Sequence, residues 1–245
     1  MSQSSNEQNN NNKYLDSQLD KNIEAIRKTL GNSADLIVRK SSIGRVNHKF
    51  AIIYIKGLIN EDQVNNNILR VLQLNKKNIE SNLFENVYEE MVSLTEIKKS
   101  KEMNQVIKTI LAGDSVFLLE GVNEAILLGT SGMEFRAIEE PQSESVVRGS
   151  RVGFIENFKI NISLLRQEIK DPNLRIDMME VGTHSNQRIA ICYMEGQVKK
   201  EILDEVVRRI NTIDFDFAPD SGFIEQWIED SILSPFPQIL DTERP

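Results

Sequence analysis

The stretch AIIYIKG, residues 51–57, returns 139 positions later as AICYMEG, residues 190–196. Each copy follows a second run of strand-forming residues that ends in glycine, at 35–44 and at 174–182. Each copy also precedes a helical pattern of apolar residues, and these apolar positions match at the same offset: Val64, Ile68 and Val71 with Leu203, Val207 and Ile210. The shared order of strand, turn, strand and helix predicts an α/β protein with two similar small subdomains and mixed sheets.

The segments around these copies complete the predicted organisation. Residues 1–12 are almost entirely polar and are expected to be disordered. The apolar residues at 15–30 predict a helix, so residues 1–33 are expected to form a disordered tail followed by a helix. Residues 34–137 form the first subdomain, which includes a long helix at 78–111 and a hairpin around Gly121. Residues 138–245 begin with a second long helix, at about 144–170, which links the subdomains.

Composition excludes several classes of protein. The formal net charge of -8 gives no general field to attract nucleic acid. The single cysteine, Cys192, excludes an internal disulfide, and its apolar neighbours predict a buried, unreactive thiol. No secretion signal precedes residue 30, and no apolar run reaches the roughly 20 residues of a membrane span. The chain is therefore expected to be soluble.

Catalytic signatures are missing from the sequence. It has no phosphate-binding glycine loop of either common type and no nucleophile elbow. Its two histidines, His48 and His184, are expected in polar turns, so the chain has few histidine ligands for a metal site. We therefore expect no enzyme activity, no cofactor and no metal, and an enzyme that uses nucleotide or phosphate is the most distant alternative.

Charged residues at 139–158 and at the C-terminal end are the candidate site. Arg148 and Arg151 near a helix start could hold an anion such as a ligand carboxylate. Alternatively, they form ion pairs with Glu140 and Glu144 that fix the long helix against the subdomains. At the other end, Asp220 or Ser221 is expected to cap a helix that carries Phe223 and Trp227. The candidate residues for interaction or for ion pairs between the subdomains are Glu140, Glu144, Arg148, Arg151, Asp220 and Glu225.

Three linked motifs resemble the GerA family, the A subunits of bacterial spore germinant receptors. Residues 140–145 and 148–154 resemble the family's acidic-Pro-Gln-Thr-Glu-Ser and Arg-Gly-Pro-Arg-Glu-Gly-Phe runs, with Ser150 and Val152 in place of Pro and Glu. NISLLRQEIKDP, residues 161–172, is similar to the family's Asn-Ile-Ala-Leu-Ile-Arg-Arg-Arg-Ile-Lys-Asp-Pro run. DSGFIEQWIEDS, residues 220–231, with SPFPQ and TERP after it, looks like the approach to the family's membrane domain.

The resemblance implies a sensor component that is not a catalyst. It implies a signalling or assembly domain that works with a transporter-like B subunit, a lipoprotein C subunit and other A subunits in nutrient-triggered germination. The full-length protein would lie in the spore inner membrane, with this domain on the cytoplasmic, spore-core side and ending just before the membrane part. An alternative is a module that binds a small nutrient in a cleft between the subdomains.

Overall fold

A computed structural model describes residues 13–43, 47–65, 82–92, 96–132, 152–215, 221–231, 234, 236 and 238–245. The chain divides into two compact units. Unit 1 comprises Met1–Arg136 and Leu165–Pro172, and unit 2 comprises Ala137–Leu164 and Asn173–Pro245.

Unit 1 is a five-stranded sheet with helices on both faces. Its elements are α1 (Leu19–Leu30), β1 (Leu36–Ile43), β2 (His48–Ile55), α2 (Leu83–Val92), β3 (Ile97–Ser100), α3 (Met103–Leu111), β4 (Ser115–Leu119) and β5 (Ala125–Leu128). The strand order is β1-β2-β4-β5-β3. Because side chains alternate along a strand, Ile53 of β2 packs with α1 and α3, whereas Ile52 packs with α2. The interior of unit 1 therefore has two apolar layers.

Unit 2 has a smaller described core. It contains most of α4 (Phe158–Glu168), then β6 (Leu174–Val181), β7 (Gln187–Met194), α5 (Lys200–Asn211) and α6 (Ser221–Ile228). The strands β6 and β7 form an antiparallel pair. The buried residues Val181, Ile210 and Ile213 pack with half-buried apolar side chains from β7, α5 and α6.

The structure confirms the two similar subdomains and extends the similarity upstream. We call residues 19–65 the first repeat and residues 158–204 the second repeat. Helix α4 begins 139 positions after α1, β7 begins 139 positions after β2, and a helical turn at 61–65 begins 139 positions before α5. Asn47 and Asn186 take positive φ before the second strand, and Gly57 and Gly196 take positive φ after it. The repeated unit is therefore helix, strand, strand and helix.

Four sequence-based expectations need correction. The single helix at 78–111 is two helices, because β3 interrupts the pattern and pairs with β5. The linking helix begins at Phe158, because residues 152–157 are not helical, and the predicted part at about 144–151 lies outside the described residues. Strand pairing is antiparallel in every described pair, so the expected mixed sheets are not seen there. The strands of the pairs β1–β2, β4–β5 and β6–β7 follow each other closely in the chain, which favours antiparallel pairing. Cys192 is exposed, not buried.

Candidate interaction surface

A buried ion pair joins the end of α4 to the turn before β1, within unit 1. The Arg166 guanidinium donates from Nε to Asp35 at 2.8 Å, and from Nη2 to Asp35 at 3.2 Å and to Ser33 Oγ at 2.9 Å. The side chains of Arg166 and Asp35 are 2% and 5% exposed. Arg166 Nη1 is buried without a hydrogen bond. A pair buried this deeply fixes geometry, because removing either partner leaves the other charge in a site that water does not reach.

Local sequence positions both partners. Asn157 caps α4 by accepting the Lys159 N–H at 3.1 Å, and this fixes the start of the helix two turns before Arg166. On the other side, the Asp35 carbonyl accepts the Lys56 N–H at 2.8 Å, and the Ser33 carbonyl accepts the Leu36 N–H at 3.1 Å. The backbone of the turn is therefore held by β1 and β2, which leaves its side chains to receive the guanidinium.

A second ion network ties α5 to α6 in unit 2. Glu205 accepts hydrogen bonds from Arg208 at 2.7 and 2.8 Å and from Arg209 at 2.7 Å. These bonds lower the pKa of Glu205 to about 2. Arg209 also donates to Asp230 at 2.6 Å and to the carbonyl of Ile228, the last residue of α6. Arg209 therefore holds the C-terminal end of α6 against α5.

Exposed apolar side chains are concentrated in unit 2. Among the described residues, the exposed large hydrophobic side chain of unit 1 is Tyr14. Those of unit 2 are Met178, Ile202, Phe215, Trp227, Phe236 and Leu240. Phe215 and Trp227 contact each other edge to face at 5.4 Å, and the Trp227 indole donates to Thr212 at 3.1 Å. A surface of this kind is typical of a contact with another macromolecule.

Two of these side chains, Phe236 and Leu240, lie between residues that make hydrogen bonds within unit 2. The Gln238 side chain accepts the Asp230 N–H at 3.1 Å and donates to the Ser231 carbonyl at 3.3 Å. Near the chain end, the Glu243 carbonyl accepts the Phe154 N–H at 2.7 Å. Phe236 and Leu240 themselves are 76% and 88% exposed.

The sequence-predicted site is largely outside the described residues. Glu140, Glu144, Arg148, Arg151 and Asp220 all lie there, so their roles stay predictions. Glu225 lies on α6 and is half-buried. Arg166 is not among the predicted site residues, because an arginine on a helix gives no sign of burial and its partner Asp35 lies 131 residues away. The one available signal was its position on the apolar run of residues 161–169.

Comparison with protein families gives one match over most of the chain. Residues 24–245 match the model of the Bacillus/Clostridium GerA spore germination protein family. The chain is 34% identical over 228 residues to spore germination protein KA of Bacillus subtilis (strain 168), which covers 93% of this chain and 42% of that protein. It is 33% identical over 223 residues to spore germination protein GerLA of Bacillus cereus, which covers 91% and 45%. The chain thus spans less than half the length of these two relatives.

A solved structure shares the fold. The crystal structure of the N-terminal domain of the A subunit of the Bacillus megaterium spore germinant receptor GerK3 superposes with a TM-score of 0.71 at 26% identity. The match covers 94% of this chain and 86% of that one. Among the residues described here, no helix has the length and apolar character needed to span a bilayer.

Proposed function

Because this chain belongs to the GerA family of spore germination proteins, we propose that it is the non-catalytic signalling and assembly part of a germinant receptor A subunit. In the full-length protein it lies at the spore inner membrane on the cytoplasmic, spore-core side. Its partners are the transporter-like B subunit, the lipoprotein C subunit and other A subunits. The names of the relatives and of the GerK3 domain support a part in a germinant receptor, and the exposed apolar side chains of unit 2 support the assembly role.

The concentration of exposed apolar side chains in unit 2 carries the assembly role. Phe236 and Leu240 are mostly exposed, and the hydrogen bonds of Gln238, between them in the chain, are with Asp230 and Ser231. Exposed apolar side chains promote aggregation unless a partner covers them, so their concentration in unit 2 favours a docking surface. Centrally placed aromatic and aliphatic side chains typically supply most of the binding free energy of such a surface.

The direct test uses spores whose full-length A subunit carries Phe236→Ser and Leu240→Ser. Loss of two anchoring side chains is expected to slow nutrient-triggered germination roughly tenfold or more and to reduce copurification of the B and C subunits. Gln226→Ser, at an exposed polar position of α6, is the matched control and is expected to germinate normally. Normal germination and normal copurification in the double variant would overturn the proposal.

A second measurement separates signalling through subunit contacts from direct nutrient binding. The purified chain is titrated with amino acids and sugars while its melting temperature is followed, since a ligand that binds the folded state raises it by linkage. We expect no saturable shift. A selective, saturable shift would instead favour the nutrient-binding module.

A further inference from the structure

The two outermost strands of the described unit 1 sheet, β1 and β3, differ in how their outer edges are protected. Strand β3 has four residues, and two of them, Lys98 and Lys99, are lysines. Just beyond it, the Lys101 carbonyl accepts the Leu15 N–H at 2.8 Å, so the N-terminal segment covers the chain there. Short length, lysines and a covering segment are all ways in which proteins prevent a sheet edge from pairing with another chain.

Strand β1 is longer and less protected. It has eight residues and no proline, and it pairs with β2 one residue to one along its whole length, without a bulge. Its one lysine, Lys40, bonds to Asp20 of α1 at 2.7 Å, so this side chain is held by a helix of its own unit. A long, regular strand of this kind is suited to pair with a further strand.

Every second residue of β1 directs its backbone away from β2. The Asp35 carbonyl accepts the Lys56 N–H at 2.8 Å, so these two residues form a hydrogen-bonded pair at the end of the ladder. Because such pairs alternate along an antiparallel ladder, the N–H and C=O groups of Val38, Lys40 and Ser42 point outward. In the part of the chain that the structure describes, these outward groups make no hydrogen bond. We call this side of β1 the open edge.

Charge along the β1–β2 hairpin has one sign. Residues 36–49 contain no aspartate or glutamate, although the whole chain has a net charge of -8. Ser42 pairs with Lys49, so Lys49 lies on the same face of the sheet as Lys40, and both lysines are exposed. Asp20 bonds to one of these two lysines and therefore offsets only part of their charge. Residues 36–38, at the start of β1, are apolar and half-buried.

We propose that the open edge binds an extended acidic segment of a partner protein as an added strand. The outward backbone groups of Val38, Lys40 and Ser42 pair with the backbone of that segment, which is the mode by which peptides extend a sheet. Apolar side chains of the segment pack beside residues 36–38, and its carboxylates lie beside Lys40 and Lys49. This site goes beyond the proposed function, because the side chains that support that function lie in unit 2.

Fluorescence anisotropy of the 245-residue chain with a labelled peptide tests the site. The peptide alternates glutamate and valine and is as long as β1. Saturable binding is expected, and a peptide with lysine in place of every glutamate should bind roughly tenfold or more weakly. Ser42→Pro removes an outward N–H and should weaken binding of the glutamate peptide roughly tenfold. Ser42→Thr, which keeps the N–H at the same position, is the matched control and should bind as the wild type does.

Amide hydrogen exchange followed residue by residue by NMR locates the bound peptide on the wild-type chain. Saturating glutamate peptide should slow the exchange of the Val38, Lys40 and Ser42 amides roughly tenfold or more. The amides of Ile97 and Lys99 point outward from β3, because the Glu96 carbonyl bonds to the Gly129 N–H and the pairs alternate from there. Their exchange should stay unchanged, which makes the outer edge of β3 the internal control. If Ser42→Pro does not fold, this measurement decides alone.

Each contrary result has a definite meaning. Absence of saturable binding, equal binding of the lysine peptide, or unchanged binding by folded Ser42→Pro would overturn the proposal. An equal loss of binding by Ser42→Thr would overturn it too, because that variant keeps the backbone donor. Protection of the β1 amides that rises with the concentration of the chain, without peptide, would assign the open edge to a second copy instead of an acidic partner. None of these results affects the proposed function, which the Phe236 and Leu240 variants test.

Discussion

At the scale of single residues, two ion pairs of this protein occupy opposite environments. Arg166 and Asp35 are almost fully buried. Glu205 is 40% exposed and interacts with two arginines at the surface of unit 2. A buried pair is costly to break because the remaining charge cannot be hydrated, whereas an exposed pair is screened by water and salt. Mutations of the two pairs should therefore give different signatures.

Asp35→Asn is expected to destabilise the chain by about 3 kcal/mol, because it leaves the Arg166 charge buried without a counter-charge. The double variant Asp35→Leu, Arg166→Met removes both charges and is expected to recover most of that loss. Urea unfolding of the three proteins measures both effects. A double variant as unstable as Asp35→Asn would show that the pair contributes through its own attraction and not through the isolated charge.

The pH dependence of stability gives a second residue-scale prediction. The Glu205 pKa of about 2 lies below its ordinary value of 4.5, so the carboxylate contributes stability above pH 4.5. That contribution is lost as the pH falls from 4.5 towards 2. The difference in unfolding free energy between wild type and Glu205→Gln should therefore be constant above this window and shrink within it. Salt at about 1 M should reduce the difference, because the pair is exposed.

At the scale of elements, helix starts are set by side chains that bond to the backbone before them. Asn22 holds the chain before α1, and Asn161 holds the chain before α4. Apolar spacing alone placed the start of the linking helix at about residue 144, because the pattern continues upstream. Apolar spacing alone also led to the prediction of a single helix at 78–111. The KKS of β3 carries no apolar pattern that distinguishes a short edge strand from a helical turn.

Alanine at Asn22 or Asn161 is expected to destabilise the chain by about 1–2 kcal/mol, since each change removes two hydrogen bonds to backbone groups. Asn22→Ala should lower the free energy of unfolding more than Asn161→Ala, because Asn22 is 3% exposed whereas Asn161 is half-buried. Thermal or urea unfolding checks the order of the two effects. Gln167→Ala, an exposed change on α4, is the control and should stay within about 0.5 kcal/mol of wild type.

At the scale of the whole molecule, the two units differ in how much apolar surface they bury. In unit 1, β2 and β4 each have a strand on both sides and contribute to both apolar layers. The described apolar cluster of unit 2 is small, although Ile162, Leu164, Leu174 and Ile176 are also buried in that unit. Regions with few buried apolar contacts open at lower free energy, so the units are expected to differ in local stability.

Hydrogen exchange followed by mass spectrometry tests this difference. Backbone amides of β2 and β4 are expected to exchange more slowly than those of β6 and β7, because opening the interior strands exposes both layers of unit 1. Low concentrations of denaturant should increase this difference in exchange rate as unit 2 begins to open. Equal protection of all four strands would instead indicate a single cooperative structure.

The sequence by itself determined the repeated strands, their hairpin turns and the membership in a family. These properties rest on short-range patterns, namely alternation along a strand, glycine at positive φ and linked motifs. Only the tertiary structure decided which strands are neighbours, that β3 interrupts a helical pattern, and that Arg166 is buried against Asp35. These features depend on contacts between residues far apart in the chain, and the free energy of such contacts cannot be inferred from a short stretch of sequence.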